Sequence, residues 1–349
     1  MKYLIYGAYG FTGKLIARLA ADKGHDIVIA GRNAESIKQL GEKLNVPWLS
    51  YSLDDQKSLD DSLQNMDAVL HCAGPYSKTA GQMIDACIRC GVHYLDITGE
   101  IEVFELAASK NEEAKKAGIV LLPGVGFDVV PTDCLASYLK SMLPDATRLE
   151  MGFKGVSSPS RGTALTMVEN LHKPGMIREN GDLKQVPSAY KTRSVAINDR
   201  PINFASIPWG DVSTAYHSTD IPNITLYTAI PPKQVANMKR LYAVRGILKM
   251  GFIQRMIQNR VRKTVKGPNE KLRNEGKSYI WGEVTNPSGA KHFARIETLE
   301  GYKLTSITAV SAVEKLLTGN VFPGFKTPSL AFGRDFILEV EGTTRTDGE

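Results

Sequence analysis

Three glycines, spaced Gly7-x-x-Gly10-x-x-Gly13, are the first residues whose types and spacing could do chemistry. They follow the apolar run "YLIY" (3–6) and open a segment with helical spacing, 12–23. This is where a phosphate-binding turn belongs. Gly7 permits a tight turn, Gly10 admits a pyrophosphate to the backbone, and Gly13 lets the helix lie close to the strand. The free N–H groups and the positive helix end then attract phosphate. A nucleoside-triphosphate loop needs G-x-x-x-x-G-K-[ST]. Ala8 stands where its first glycine is required, and Leu15 where Ser or Thr is required, so that option fails twice. The dinucleotide fingerprint G-x-G-x-x-G differs only in its first spacing. A glycine-rich structural turn is the alternative, and the strands behind the loop decide for a dinucleotide. Tyr9, Phe11 and Thr12 complete the expected cofactor loop.

The second strand, "DIVIA" (26–30), ends in Gly31-Arg32. An enzyme using NAD(H) carries an acid near this point for the ribose 2′-hydroxyl. A guanidinium instead suits a 2′-phosphate, with its charge and planar fork of donors. NADP(H) is therefore the expected cofactor, against an ordinary surface arginine. Asp54 follows the third strand. It is placed to meet the adenine amine or to cap the next helix.

Ligands of doubly wound sheets lie beyond the carboxyl ends of the strands. Three segments end there. "HCAGPYS" (71–77) brings Ala73, Gly74 and Pro75 past the nicotinamide ribose and Tyr76 near the ring. "DITGE" (96–100) and "GVGFDVVPTD" (124–133) share the rim and carry more glycine and acid than plain turns need. Hydride transfer requires a group to donate a proton or polarise the acceptor. The candidates are Tyr76, Asp128, Tyr216, His217 and Lys154, and packing or surface roles compete for each. "SSPSRGT" (157–163) precedes a helix, where Arg161 and backbone N–H groups could hold a substrate anion, or where the loop is only an N-cap. Trp209 and Asp211 are further substrate candidates.

The elements that must position these residues alternate regularly. Buried strands are expected at 3–6, 26–30, 47–52, 67–72, 92–97 and 118–122. Helices are expected at 12–23, 34–44, 56–64, 81–90 and 103–117. Apolar strands separated by helices mean a parallel sheet covered on both faces. After Pro131 the rhythm changes to a helix at 132–143 and alternating runs at 147–156, 223–230, 277–286 and 291–299. The turn "NPSG" (286–289) joins the last two. Helices are expected at 162–171, 234–258 and 305–318. The expected fold is α/β, a Rossmann-type doubly wound parallel sheet plus a second α/β domain with a mainly antiparallel sheet. The boundaries are 1–130 for the NADP-binding domain and 131–319 for a substrate and oligomerisation domain. Residues 320–349 are expected to pack back on the first.

The chain has 349 residues, net charge +6 and a hydrophobic fraction of 42%, an ordinary globular balance too long for one core. Basic residues are mostly interspersed with acids, so no nucleic-acid partner is expected. The exception is 233–266, with ten basic residues, no acid and several large apolar ones. A cationic membrane-surface segment, through 239–266, competes there with a packed helix and a solvated basic arm. The six histidines never pair at i, i+4, so no metal is expected. Cys87-Ile-Arg-Cys90 has redox spacing but reads as two small residues on one helix. The start carries no export pattern, and the four cysteines fit a reduced, cytoplasmic location. The expected partners are a small-molecule substrate and, as an open option, a second copy of the chain.

"GAYGFTG", "AGR", "GVHYLDITGE" and "GFDVVPTD" resemble the saccharopine dehydrogenase-like group of NADP-binding proteins. "IPWGDVSTAYHSTDIPNITLY" (207–227) and "PGFKTPSLAFG" (323–333) are similar to its trans-acting enoyl reductase branch. The resemblance runs over nearly the whole chain. It implies a Rossmann domain, a second α/β domain and hydride transfer from NADPH. In the enoyl branch the acceptor is a C=C bond on a lipid-like chain. In saccharopine reductases it is a C=N bond formed from an amino acid and a semialdehyde. A third reading is an NADPH-binding scaffold or sensor without catalysis.

Overall fold

A computed structural model describes residues 1–155, 158–265 and 267–348. Ser157 of the expected anion loop and Lys266 of the basic run lie outside the described residues. The chain forms two compact domains. One is Met1–Val130 with Tyr302–Val340, and the other is Pro131–Gly301 with the residues from Glu341 on.

The first domain begins β1 (Lys2–Tyr6), α1 (Phe11–Asp22), β2 (Asp26–Gly31), α2 (Ala34–Leu44), β3 (Trp48–Ser50), α3 (Gln56–Leu63), β4 (Ala68–His71), α4 (Tyr76–Cys90), β5 (His93–Asp96), α5 (Ile101–Ser109), α6 (Asn111–Lys116) and β6 (Val120–Leu122). The second holds most of α7 (Val130–Met142), then β7 (Arg148–Lys154), α8 (Arg161–Asn170), β8 (Gly175–Glu179), β9 (Asp182–Val186), β10 (Thr192–Ile197) and β11 (Arg200–Ser206). It continues with α9 (Asp211–Thr219), β12 (Asn223–Ala229), α10 (Pro232–Ala243), α11 (Arg245–Leu248), α12 (Gly251–Thr264), α13 (Glu270–Glu275), β13 (Lys277–Thr285) and β14 (Lys291–Leu299). Finally α14 (Gly301–Thr318), β15 (Gly324–Phe325) and α15 (Pro328–Phe332) return to the first domain, and β16 (Thr344–Gly348) to the second.

The first sheet is parallel, in the order β15-β6-β5-β4-β1-β2-β3. The strand order reverses between β1 and β4, and that switch point is where doubly wound folds bind ligands. Leu4 and Ile5 point to opposite faces and both are fully buried. Each such side chain contributes roughly 1.5–3 kcal/mol by leaving water. Leu4 and Tyr6 join Met83, Ile84, Val103 and Ala107 in one core cluster. α1 buries Gly13, Ile16, Ala17 and Ala20, the spacing of one helical face.

The second sheet has the order β10-β11-β12-β7-β13-β14-β16, with β8 and β9 attached at β12. Among the described residues only the β7–β12 pairing is parallel. One face packs on α7, where a Cβ on Gly282 would lie 2.6 Å from Leu139 Cδ1. The opposite face centres on buried Trp281, between Phe204, Tyr227 and Phe293.

Several expectations need correction. Residues 47–52 are not a buried strand: β3 is a short edge strand bonded only to β2, with Trp48 and Leu49 exposed. The return to the first domain starts at Tyr302 rather than 320, because α14 packs there; its Thr308 hydroxyl donates to the Val125 carbonyl. The last residues do not stay in the first domain, because β16 adds an edge to the second sheet beside β14. The apolar alternation does not predict β8 to β11: exposed residues interrupt it in β9 to β11, and β8 is only five residues with Arg178 and Glu179 at its end. The expected helix at 234–258 is three helices, interrupted at Val244 and Met250. The "NPSG" turn forms as read, with Gly289 at φ 86.

Candidate functional site

The loop after β1 is built so that only glycine fits at positions 7 and 13, with position 10 tight. Gly7 has φ 84, and its Cβ would lie 2.8 Å from Ala73 Cβ in the loop after β4. A Cβ on Gly13 would sit 2.4 Å from the Gly7 carbonyl oxygen, and one on Gly10 3.2 Å from the same atom. The chain therefore turns sharply, and α1 starts directly at the sheet edge. Gly10 is the N-cap, and no side chain caps the helix. Such an end presents backbone donors and a positive dipole to an anion. Thr12 and Gly13 lie in this first turn.

The end of β2 explains the missing acid. A Cβ on Gly31 would collide with the Tyr9 ring, 2.4 Å from its Cε1. Tyr9 thus occupies the place where a side chain at 31 would begin. The next residue, Arg32, is exposed and makes no ion pair or hydrogen bond among the described residues. Asn33 beside it caps α2 by accepting from Ser36 N–H. Asp54 accepts from Ser52 Oγ and Gln82 Nε2, and these bonds, more than Arg32 nearby, hold its carboxyl below the usual range. Asp54 does not cap α3; Asp55 does, through Ser58 N–H.

The loop after β4 carries Ala73, Gly74 and Pro75, with a cis Gly74–Pro75 peptide, and leads into α4 at Tyr76. Glu100 fixes this corner. Its carboxylate accepts from the N–H groups of Tyr76 (2.9 Å) and Ser77 (2.8 Å). Thr79 donates to the Ala73 carbonyl, and buried His71 bonds Thr79 through Nε2. Burial pushes His71 down to about 3, so it stays neutral. Glu100, His71 and Thr79 were not singled out from the sequence. For Glu100 the available signal was the acid content of "DITGE" at the end of a strand.

Asp96 is likewise engaged. Fully buried, it accepts from Tyr94 Oη, Thr98 N–H and Gly124 N–H, and burial pushes its carboxyl up to about 6. The acids of "DITGE" thus position backbone rather than face a ligand. They shape the next loop, which α14 supports from behind: Phe127 N–H donates to Thr305 Oγ1 at 2.9 Å.

That loop presents Asp128. Its carboxyl has no hydrogen bond or ion pair among the described residues, and it is only partly exposed. Burial alone pushes it up to about 7. Tyr76 lies close enough to feel it. Burial first, then the nearby acidic groups Cys72, Asp96, Glu100 and Asp128, keep the Tyr76 phenol protonated. A carboxyl that is half protonated near neutrality and a neutral phenol share the edge that carries the glycine loop.

The candidates of the second domain are differently placed. Tyr216 on α9 lies beneath the Arg178 guanidinium, 4.2 Å from ring centroid to Cζ. Arg178 is buried and donates to the carbonyls of Val212 and Gly181. Asp211 is fully buried at the start of α9, and Trp209 packs against Phe153. His217 is half-buried beside Tyr216, and Lys154 lies over the Tyr279 ring. Arg161 opens α8 and reaches the Val265 carbonyl at 3.5 Å, with Ser160 as the cap. Cys87 and Cys90 are both free thiols, Cys87 buried.

The strand order, glycine turn and uncapped helix define a Rossmann-type dinucleotide-binding domain. Residues 3–122 match the family described as the saccharopine dehydrogenase NADP binding domain, which makes NADP the cofactor of this domain. Arg32 and the three glycines fit that group on geometry alone. A mouse saccharopine dehydrogenase-like oxidoreductase is 26% identical over 71% of this chain and 66% of its own length. A Mycobacterium tuberculosis protein named as a trans-acting enoyl reductase is 31% identical over 48% of this chain and 43% of its own. The chain therefore spans less than two thirds of these relatives. Saccharopine dehydrogenase (L-Glu forming) from Saccharomyces cerevisiae has the same fold over 100% of both chains, with TM-score 0.66 and 12% identity.

Proposed function

We propose that this chain is an NADP(H)-dependent oxidoreductase that reduces a C=C bond of an apolar, enoyl-type acceptor. The observation that carries the reductase reading is Asp128, a carboxyl without hydrogen-bond or ion-pair partners among the described residues, on the rim of a dinucleotide cradle; the enoyl acceptor rests on the likeness to the Mycobacterium tuberculosis protein named above. Bound NADPH supplies the hydride. Gly7, Gly10 and Gly13 would receive the pyrophosphate, Arg32 would pair with the 2′-phosphate, and Asp54 would face the adenine side. Ala73, Gly74 and Pro75 would line the nicotinamide end. Asp128 donates a proton to the carbon next to the one that takes hydride, and regains it from solvent. Tyr76, held neutral, polarises the acceptor with its hydroxyl. A positioned acid of this kind contributes roughly 10²–10⁴-fold.

A C=N acceptor uses the same acid, with the proton delivered to nitrogen. The broader match to the mouse saccharopine dehydrogenase-like protein favours that second reading. NADPH oxidation followed at its own absorbance separates the two. Enoyl thioesters of increasing chain length are offered in one series, and amino acids with a semialdehyde in the other. Turnover in the first series alone supports the C=C reading. Turnover in the second alone overturns it. Tight NADPH binding without turnover in either leaves a scaffold or sensor.

A further inference from the structure

The charged stretch after β12 is a surface feature of the second domain that the redox reading does not use. Six of the fifteen exposed large apolar residues of the described chain fall between Leu241 and Met256. Ile247 and Phe252 are each 56% exposed and Met256 61%. No residue of α12 is fully buried. In sequence the helix shows no clean face, because it has two apolar stripes. Ile253, Ile257 and Val261 form the half-buried one, and α12 packs on α8. Phe252 and Met256 form the other, one turn apart and turned outward. Arg255, Arg260, Arg262 and Lys263 are exposed around them. None of these four cations forms an ion pair among the described residues, and no acid lies between Lys233 and Lys263 to neutralise them.

We propose that the outward face of α11 and α12 docks on an anionic lipid membrane. Uncompensated cations match an anionic headgroup layer, and Ile247, Phe252 and Met256 at the centre of the face enter the acyl boundary. A nucleic acid would satisfy the cations and leave these side chains in water, so the lipid surface is the better complement. The contact is peripheral: among the described residues no helix is long and apolar enough to cross a membrane. It is independent of the reaction above, so vesicle binding and NADPH turnover stand or fall separately.

Vesicle flotation of the full chain tests this. Phosphatidylcholine vesicles are compared with vesicles carrying phosphatidylserine at about 30%. The expected result is flotation with the anionic vesicles only. Raising salt from about 0.1 to 0.5 M lowers it severalfold. Arg255→Glu/Arg260→Glu weakens it by at least roughly fivefold per site. Phe252→Ser/Met256→Ser weakens it by about tenfold or more. Both variants alter exposed positions, and an unchanged melting curve and NADPH affinity check that they fold. Absence of flotation, equal binding to neutral vesicles, or binding insensitive to salt overturns the proposal on the wild-type chain alone. So does duplex oligonucleotide binding that displaces the vesicles and ignores Phe252→Ser/Met256→Ser.

Discussion

The rim of the first sheet and the α9 segment of the second domain both carry polar residues of catalytic type. They treat them in opposite ways. On the rim, Asp96, Glu100, His71 and Thr79 hold the loops in place, and Arg32 and Asp128 make no hydrogen bond or ion pair among the described residues. On α9, Tyr216 lies under Arg178, whose own donors tie down Val212 and Gly181. Groups committed to packing stabilise a fold, whereas groups held by a rigid frame and left unpaired are available to a ligand.

The difference can be broken from its strongest point downward. Gly13→Val places atoms inside the van der Waals surface of the Gly7 carbonyl. NADPH affinity should fall by roughly 100-fold or more. Isothermal titration checks this, and unchanged affinity would show that the loop is only a turn. Asp128→Asn should lower kcat by about 10²–10⁴-fold with NADPH affinity unchanged. In the wild type, kcat should fall as pH rises past about 7, where this acid loses its proton. The stability effect runs the other way. Burial pushes the carboxyl up to about 7 in the fold, from an ordinary aspartate value of about 3.9. Its burial therefore costs nothing below the unfolded value and progressively more as pH rises toward the folded one. Asp128→Asn should be more stable than wild type at pH 8, by on the order of 2 kcal/mol, and no more stable at pH 4. Urea unfolding at both pH values measures it.

On α9 the expected effects are structural. Arg178→Met removes both donors to the Val212 and Gly181 carbonyls and should cost roughly 2–4 kcal/mol in unfolding experiments, with NADPH affinity unchanged. Tyr216→Phe keeps the ring under the guanidinium, so turnover should stay within about threefold of wild type. A loss of about 100-fold with an unchanged melting temperature would return Tyr216 to the catalytic candidates.

Much of the first domain was legible because β1, β2 and β4 are apolar on both faces, a pattern set by burial alone. The glycine loop was legible because close backbone approach tolerates no other residue. Arg32 stood out by occupying a position where an acid is usual, but the sequence could not show that Tyr9 closes position 31. Asp96 and Asp128 looked alike in sequence. Their roles separate only when Gly124 folds back on Asp96 and α14 braces the next loop, contacts between residues 28 and 178 positions apart in the chain. α14 was assigned to the wrong domain for the same reason: its spacing predicts a helix but not the surface it covers.

The NADP(H) assignment is tested most directly by titrating wild type and Arg32→Ala with NADPH and with NADH, following ligand fluorescence. Arg32→Ala should weaken NADPH by about 30-fold and NADH by less than threefold, the signature of a lost guanidinium–phosphate pair. Equal weakening of both, or a wild type without preference for NADPH, would contradict it.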